Sequence, residues 1–170
     1  MRHEKSVELM NRAIADELAA VHQYMYYHFL CDDQGLDLLA SLFKRTAIEE
    51  MLHIERLAER ILFLKGEVEL AASAEVEKIQ DVQAMIEWAC KAEEKTIQDY
   101  NGFANDCSAH ADSQSKRLFE DLIVDEERHL DQFDTELGNL EHYGPQYLAL
   151  QSIERSKTQA ATAPAGGGAE

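Results

Sequence analysis

The chain has 170 residues, of which 45% are hydrophobic, so it is long enough for one domain with a substantial core. Thirty-three acidic residues outnumber sixteen basic residues, and the formal net charge is −17. A field of this sign repels DNA, RNA and anionic membranes and attracts cations, and no run approaches the roughly 18 apolar residues of a membrane span.

Four segments show apolar residues at alternating spacings of three and four, which predicts four amphipathic helices. The first carries Val7, Met10, Ile14, Val21, Tyr24 and His28 on one face. The others run from about Leu36 to Leu64, Val82 to Cys107 and Ser115 to His142. Each would be about 40 Å long, and helices of this length must pack side by side.

The connections predict how these helices are arranged. Short turns at residues 31–35 and 110–112 make the first and last pairs antiparallel. Residues 65–81 reach roughly 55 Å when extended, so they can cross the bundle lengthwise and make the middle helices parallel. After Gly144 and Pro145, residues 146–155 predict a short fifth helix, which completes one domain over residues 1–155. Residues 156–170 are rich in Ala and Gly, and we expect them to form a flexible tail.

The cysteines and the first residues indicate a compartment. Cys31, Cys90 and Cys107 form no Cys-x-x-Cys pair, and an odd number of cysteines favours free thiols in a reducing environment. The start MRHEKSVELM lacks the apolar core of a signal peptide. We therefore expect a soluble cytoplasmic protein.

A carboxylate interrupts the apolar face of each of the four long helices, near its middle. These residues are Glu17, Glu50, Glu93 and Glu126. Four unpaired buried carboxylates would be severely destabilising, and no Lys or Arg occupies these faces. Two divalent cations would balance the four charges, so the pattern predicts a dinuclear metal site.

Two histidines complete the predicted ligand set. His53 and His129 each follow a glutamate by three residues, so each Glu-x-x-His pair can reach one ion from a single helix. Ligation by carboxylate and imidazole without thiolate suits iron or manganese and also accepts zinc. One Glu from each of two helices and Glu-x-x-His from the other two is the pattern of di-iron carboxylate bundles.

Two assignments stay open on spacing alone. Glu93 and Glu94 are adjacent, and Glu93 fits the apolar face better. Tyr24, two turns from Glu17, is either a packing residue or a one-electron donor beside the metals.

Met51 points about 130° away from the midpoint of the second helix's Glu-x-x-His pair, so it faces outward. A methionine in such a position is usually a partly exposed or interface residue.

The motifs resemble those of the bacterioferritins over about residues 5 to 150. The resemblance rests on HQYMYYH after Glu17, on IEEMLHIERLAERILFLKGEVE and on DEERHLDQFDTEL. It implies an all-α, ferritin-like four-helix bundle with one long crossover. Met51 occupies the position of the haem ligand in this family.

The resemblance also implies an activity and an assembly. The family forms 24-subunit homo-oligomeric shells of two-fold dimers, with one b-type or related haem held by Met51 from both partners. It stores iron as a ferroxidase, oxidising Fe²⁺ with O₂ or H₂O₂ and keeping the ferric product as a mineral. Glu50 and Glu126 would bridge the irons, Glu17 and Glu93 would be terminal ligands, and each iron would bind one histidine. A ferredoxin would supply electrons through the haem for iron release.

Other interpretations make different predictions. Arg45 replaces a cavity-facing histidine found in several bacterioferritins, which argues against an inner-surface iron site with Glu49. A haem-free ferritin would tolerate Met51→Leu, and a rubrerythrin-like peroxidase would carry Cys-x-x-Cys pairs. For a non-catalytic four-helix interaction protein, a Glu17→Ala, Glu126→Ala variant would lose no iron uptake.

Overall fold

Five helices and no strands make up the part of the chain that the computed structural model describes, residues 3–162. They are α1 (Glu4–Asp33), α2 (Asp37–Phe63), α3 (Val82–Ala109), α4 (Ser113–Tyr143) and α5 (Pro145–Thr162). The four long helices and their boundaries agree closely with the sequence prediction. None of the described helices combines the length and apolar character of a membrane span.

Local signals explain where α3 and α4 begin. The side chain of Asp81 accepts a hydrogen bond from Ala84 N at 2.8 Å, and the side chain of Asp112 accepts one from Ser115 N at 3.2 Å. Such caps satisfy amide groups that have no partner within the first turn of a helix. The α3–α4 turn also lies near the end of α2, because Arg60 donates to Asp112 at 2.7 Å. Helices α2 and α3 therefore end on the same side of the bundle and run parallel.

The core consists of two apolar halves separated by a polar layer. One half includes Tyr24, Phe43 and Phe133, and the other includes Ile14 and Phe119 among its buried residues. Between them lie the buried polar residues at the centres of the four long helices. The three cysteines are buried free thiols packed in these apolar halves, with no disulfide among them.

The crossover between α2 and α3 is fixed to α1 by amide side chains. Gln23 donates to Glu77 O at 3.0 Å and accepts from Glu77 N at 2.8 Å. Asn11 makes an equivalent pair of bonds, to Glu67 O at 2.9 Å and from Glu69 N at 3.0 Å. The crossover therefore has ordered backbone partners although it contains no helix.

The last helix is longer than the sequence predicts. It begins at Pro145, one residue before the predicted start, and continues to Thr162 instead of ending near residue 155. The segment 156–162, which we expected to be flexible, is thus helical, and residues 163–170 lie outside the described residues. Ala and Thr are compatible with a helix, and Arg155 anchors α5 to the end of α1 through Asp32 O at 2.6 Å.

Candidate metal centre

The structure brings together all six residues that the sequence singled out as metal ligands. Each is almost completely buried, with at most 3% of its surface exposed. They are Glu17 on α1, Glu50 and His53 on α2, Glu93 on α3, and Glu126 and His129 on α4. Glu94, the alternative on α3, is exposed.

The six residues form two overlapping groups, each able to surround one ion. One group is Glu17, Glu50, His53 and Glu126, and the other is Glu50, Glu93, Glu126 and His129. Within each group the candidate ligand atoms lie within 4.8 Å of one another. Glu50 and Glu126 belong to both groups, as expected of carboxylates that bridge two ions.

The inward ring nitrogens approach the carboxylates closely. His53 Nδ1 lies 2.8 Å from Glu50 Oε2 and 2.9 Å from Glu126 Oε1. His129 Nδ1 lies 3.1 Å from Glu50 Oε1 and 3.5 Å from Glu126 Oε2. Despite these distances, both Nδ1 atoms, Glu50 Oε2 and Glu126 Oε1 are buried without a properly directed hydrogen bond. Buried polar atoms that converge without pairing fit a metal ion between them.

Without metal, protons must balance part of the charge. Burial lowers the pKa of His53, but its contacts with Glu126, Glu17 and Glu50 outweigh this and raise it to about 12. Burial likewise lowers the pKa of His129, and its contacts with Glu126, Glu50 and Glu93 raise it far above the usual value. These contacts therefore favour the protonated form of both imidazoles in the metal-free protein.

Burial and the neighbouring histidines shift the pKa values of the glutamates in different directions. Burial, together with repulsion from Glu50, holds the pKa of Glu17 and of Glu93 well above the usual range. Burial also raises the pKa of Glu126, but its contacts with both histidines lower it to about 2. The surroundings thus favour the ionised form of Glu126 and the protonated forms of Glu17 and Glu93.

Two tyrosines donate hydrogen bonds to Glu17 and Glu93, each of which belongs to only one of the two groups. Tyr24 donates its hydroxyl hydrogen bond to Glu93 Oε1, and Tyr100 donates to Glu17 Oε1. Both tyrosines are fully buried. Tyr24 therefore packs in the core and contacts a candidate ligand, so the geometry is compatible with both interpretations of its role. Tyr100 follows Glu93 by seven residues on the apolar face of α3, but this spacing gives no indication of its bond to Glu17.

Carboxylates outside the centre accept hydrogen bonds from the outer histidine nitrogens. His53 Nε2 lies 3.2 Å from Asp125 Oδ2, and His129 Nε2 lies 2.7 Å from Glu49 Oε2. A proton on Nε2 leaves the Nδ1 lone pair free for a metal, which is the usual arrangement of metal-binding histidines. Sequence reasoning did not identify these carboxylates as partners of the histidines, although each immediately precedes a candidate ligand glutamate.

Met51 lies on the opposite face of α2, as predicted. Its side chain is 53% exposed, and the neighbouring Ile48 and Leu52 are 45% and 47% exposed. This apolar surface is compatible with a flat, apolar group bound through the methionine sulfur. Arg45 is also exposed, in a shallow depression with Asp131 and Glu136.

Comparison with known proteins agrees with this architecture. The ferritin-like domain model matches residues 7–142. The bacterioferritin of Desulfovibrio desulfuricans is 36% identical over 161 residues, covering 95% of this chain and 90% of the relative. That of Brucella melitensis is 34% identical over 140 residues, covering 82% of this chain and 87% of the relative.

Two solved structures are similar over almost their whole length. One is the D. desulfuricans bacterioferritin, described with its diiron site in different catalytic states, with 35% identity, a TM-score of 0.86 and coverage of 98% of this chain and 95% of that one. The other is the Rhodobacter capsulatus bacterioferritin, described with a metal-free dinuclear site and haem iron in a crystallographic special position. It has 32% identity, a TM-score of 0.84 and coverage of 89% and 96%. From its fold, its buried ligand cluster and these similarities, the chain belongs to the bacterioferritin family.

Proposed function

We propose that this protein stores iron and is a ferroxidase, which oxidises Fe²⁺ at a dinuclear site within each subunit. The observation that carries this proposal is the pair of overlapping ligand groups that share Glu50 and Glu126. The chemistry supplied there is the transfer of one electron from each Fe²⁺ to O₂ or H₂O₂.

The six ligands have distinct proposed tasks. Glu50 and Glu126 would bridge two ions, since both groups contain them. Glu17 and His53 would bind one ion, and Glu93 and His129 the other. No catalytic base beyond the ligands is proposed, because the ligands lose their own protons when they bind metal. Hydrogen bonds from Tyr24 and Tyr100 would orient the two terminal glutamates.

Substitution of adjacent glutamates on α3 tests the proposal. Removal of the Glu93 charge by Glu93→Gln should abolish the rapid oxidation of about two Fe²⁺ per subunit that a dinuclear centre supports. The control is Glu94→Gln, which makes the same change one residue away on the exposed surface. Rapid mixing of metal-free protein with Fe²⁺ in air, followed by optical absorbance, measures both. Equal loss in the two variants, or none in either, would contradict the assignment.

We also propose that the subunits form a hollow 24-subunit shell. The family resemblance supports this, and so does the exposed apolar surface around Met51 on α2. The negative charge of −17 per subunit would concentrate Fe²⁺ around such a shell. A protein of this composition is not expected to bind nucleic acid or an anionic membrane.

Haem is the second proposed cofactor, one for each pair of subunits, with Met51 as its ligand. The half-exposed Met51 within an apolar surface, on the side of α2 away from the metal centre, supports this role. The haem would carry electrons inward for reduction of the mineral. A ferredoxin is the proposed donor, and only the family resemblance supports it.

The cytoplasm is the proposed location. Its support is the three free thiols, which are stable in a reducing compartment. The same residues argue against a rubrerythrin-like peroxidase, because all three are buried in the bundle core and cannot form a rubredoxin-type iron site. A haem-free ferritin is the remaining alternative, and it differs from the proposed function only in whether Met51 binds haem.

A further inference from the structure

Each of the two histidines contacts a carboxylate on the other helix. His53 on α2 contacts Asp125 on α4, whereas His129 on α4 contacts Glu49 on α2. The imidazole rings lie 5.9 Å apart at an interplanar angle of 26°. Each imidazole orientation therefore depends on a carboxylate from the neighbouring helix.

Arg128 joins those two carboxylates. Its Nη2 donates to Glu49 Oε2 at 2.5 Å and to Asp125 Oδ1 at 3.1 Å. These charge-assisted bonds close a continuous link across the α2–α4 face, directly outside both histidines. We call Glu49, Asp125 and Arg128 the α2–α4 clasp.

We propose that Arg128 is a positioning residue that fixes both histidine ligands through the α2–α4 clasp, so that the dinuclear centre retains its metals as a resident cofactor. The clasp holds each Nε2–H against a carboxylate, which keeps Nδ1 directed at the metal position. The inference rests on the proposed dinuclear site and specifies whether ions remain there.

Simple electrostatics predicts that removal of Arg128 strengthens metal binding, whereas the positioning role predicts that it weakens metal binding. Loss of a positive charge near a cation site strengthens cation binding by Coulomb attraction. Loss of the clasp instead leaves Glu49 and Asp125 less restrained and thereby loosens the orientation of both imidazoles. Changes in the outer partners of metal-binding histidines commonly weaken metal affinity by about 10- to 100-fold. The sign of the change therefore separates a positioning role from a charge effect.

Metal release from the full-length protein tests the inference. Metal-free protein is loaded with Co²⁺, an excess of EDTA is added, and the decay of the cobalt d–d absorption gives the release rate. We expect Arg128→Gln to accelerate release by about tenfold or more. Arg128→Lys keeps the charge but loses the planar fork, so it should fall between Arg128→Gln and the unsubstituted protein.

Arg56→Gln is the matched control. Arg56 lies on the same face and has the same charge, but it approaches Asp125 only at 3.8 Å and forms no ion pair with Glu49 among residues 3–162. Its release rate should stay close to that of the unsubstituted protein. Unchanged or slower release from Arg128→Gln, or equal acceleration in Arg56→Gln, would overturn the inference.

The same experiment distinguishes failure of the proposed function. If the unsubstituted protein does not bind about two Co²⁺ per subunit at ligands shared between the ions, the dinuclear site itself is wrong. If it binds them and Arg128→Gln releases them no faster, only the role of the clasp is wrong. Both carboxylates and Arg128 are partly exposed, and circular dichroism can establish that the variants fold.

Discussion

Four of the six buried polar side chains at the centre of the bundle have raised pKa values, which favour protons where the metals are proposed to bind. The raised pKa values of both histidines favour their protonated forms in the metal-free state. Glu17 and Glu93 also retain protons well above the usual range. Metal ligands must give up such protons, so metal binding and deprotonation are coupled.

Metal binding should therefore release about two to four protons per subunit near neutral pH. Because protons compete with the metal, affinity should fall as the pH is lowered and rise as it is increased. Calorimetric titration with Co²⁺ in buffers of different ionisation enthalpy measures the number released. Glu127→Gln, next to Glu126 but exposed, should leave that number unchanged. Binding heat independent of the buffer would contradict this expectation.

The positions of the six candidate ligands follow from the sequence because each interrupts an apolar face. The preference for Glu93 over Glu94 rested on the same pattern, and in the structure Glu93 points into the cluster. The partners of the histidines could not be predicted in this way. Glu49 precedes Glu50 and Asp125 precedes Glu126, but each serves the histidine of the other helix. Such an exchange depends on the packing of α2 against α4.

Among the elements, the crossover depends most on individual side chains. It contains no helix, so its backbone groups need partners elsewhere. The buried amide of Gln23 supplies two of them, to the backbone of Glu77. Gln23 thereby holds the backbone of the crossover shortly before the start of α3, the helix that carries Glu93.

Gln23→Ala should reduce the free energy of unfolding by about 1–3 kcal/mol, because it leaves backbone groups of the crossover without partners. Urea denaturation of the metal-free protein measures the change. Gln98→Ala, at an exposed position on α3, is the control and should have little effect. If the two variants unfold at the same urea concentration, Gln23 does not stabilise the crossover.

The long helices could be predicted because their apolar periodicity continues on both sides of the central polar positions and no proline lies within them. The length of α5 could not, because its second half has almost no apolar residues to show a periodic face. The helix there continues beyond Ile153, its last large apolar residue, to Thr162. Ala- and Gln-containing sequence is compatible with either helix or coil until neighbouring structure decides. The interpretation of residues 156–170 as a separate tail stays a prediction.

At the scale of the whole molecule, the two sides of α2 have different proposed tasks. The side that faces the bundle centre carries Glu50 and His53. The outer side carries Met51 between Ile48 and Leu52, all about half exposed. An apolar side of this kind is suited to contact with a second subunit and with haem.

Met51→Leu should abolish haem binding without changing the size of the assembly, because leucine preserves the apolar surface but lacks the sulfur. Visible absorbance of protein eluting from a sizing column measures both properties together. Met85→Leu makes the same change in the buried core and should retain haem. A porphyrin spectrum that persists in Met51→Leu would exclude Met51 as the ligand and favour another site.

Anomalous diffraction from crystals of the protein soaked with iron or cobalt tests the dinuclear centre most directly. We expect two peaks in each subunit, one beside His53 and one beside His129, about 3.5–4 Å apart, as in two-metal sites. Glu50 and Glu126 should contact both peaks. A single peak, no peak, or glutamates turned away from the ions would contradict the assignment of this bundle as a dinuclear iron centre.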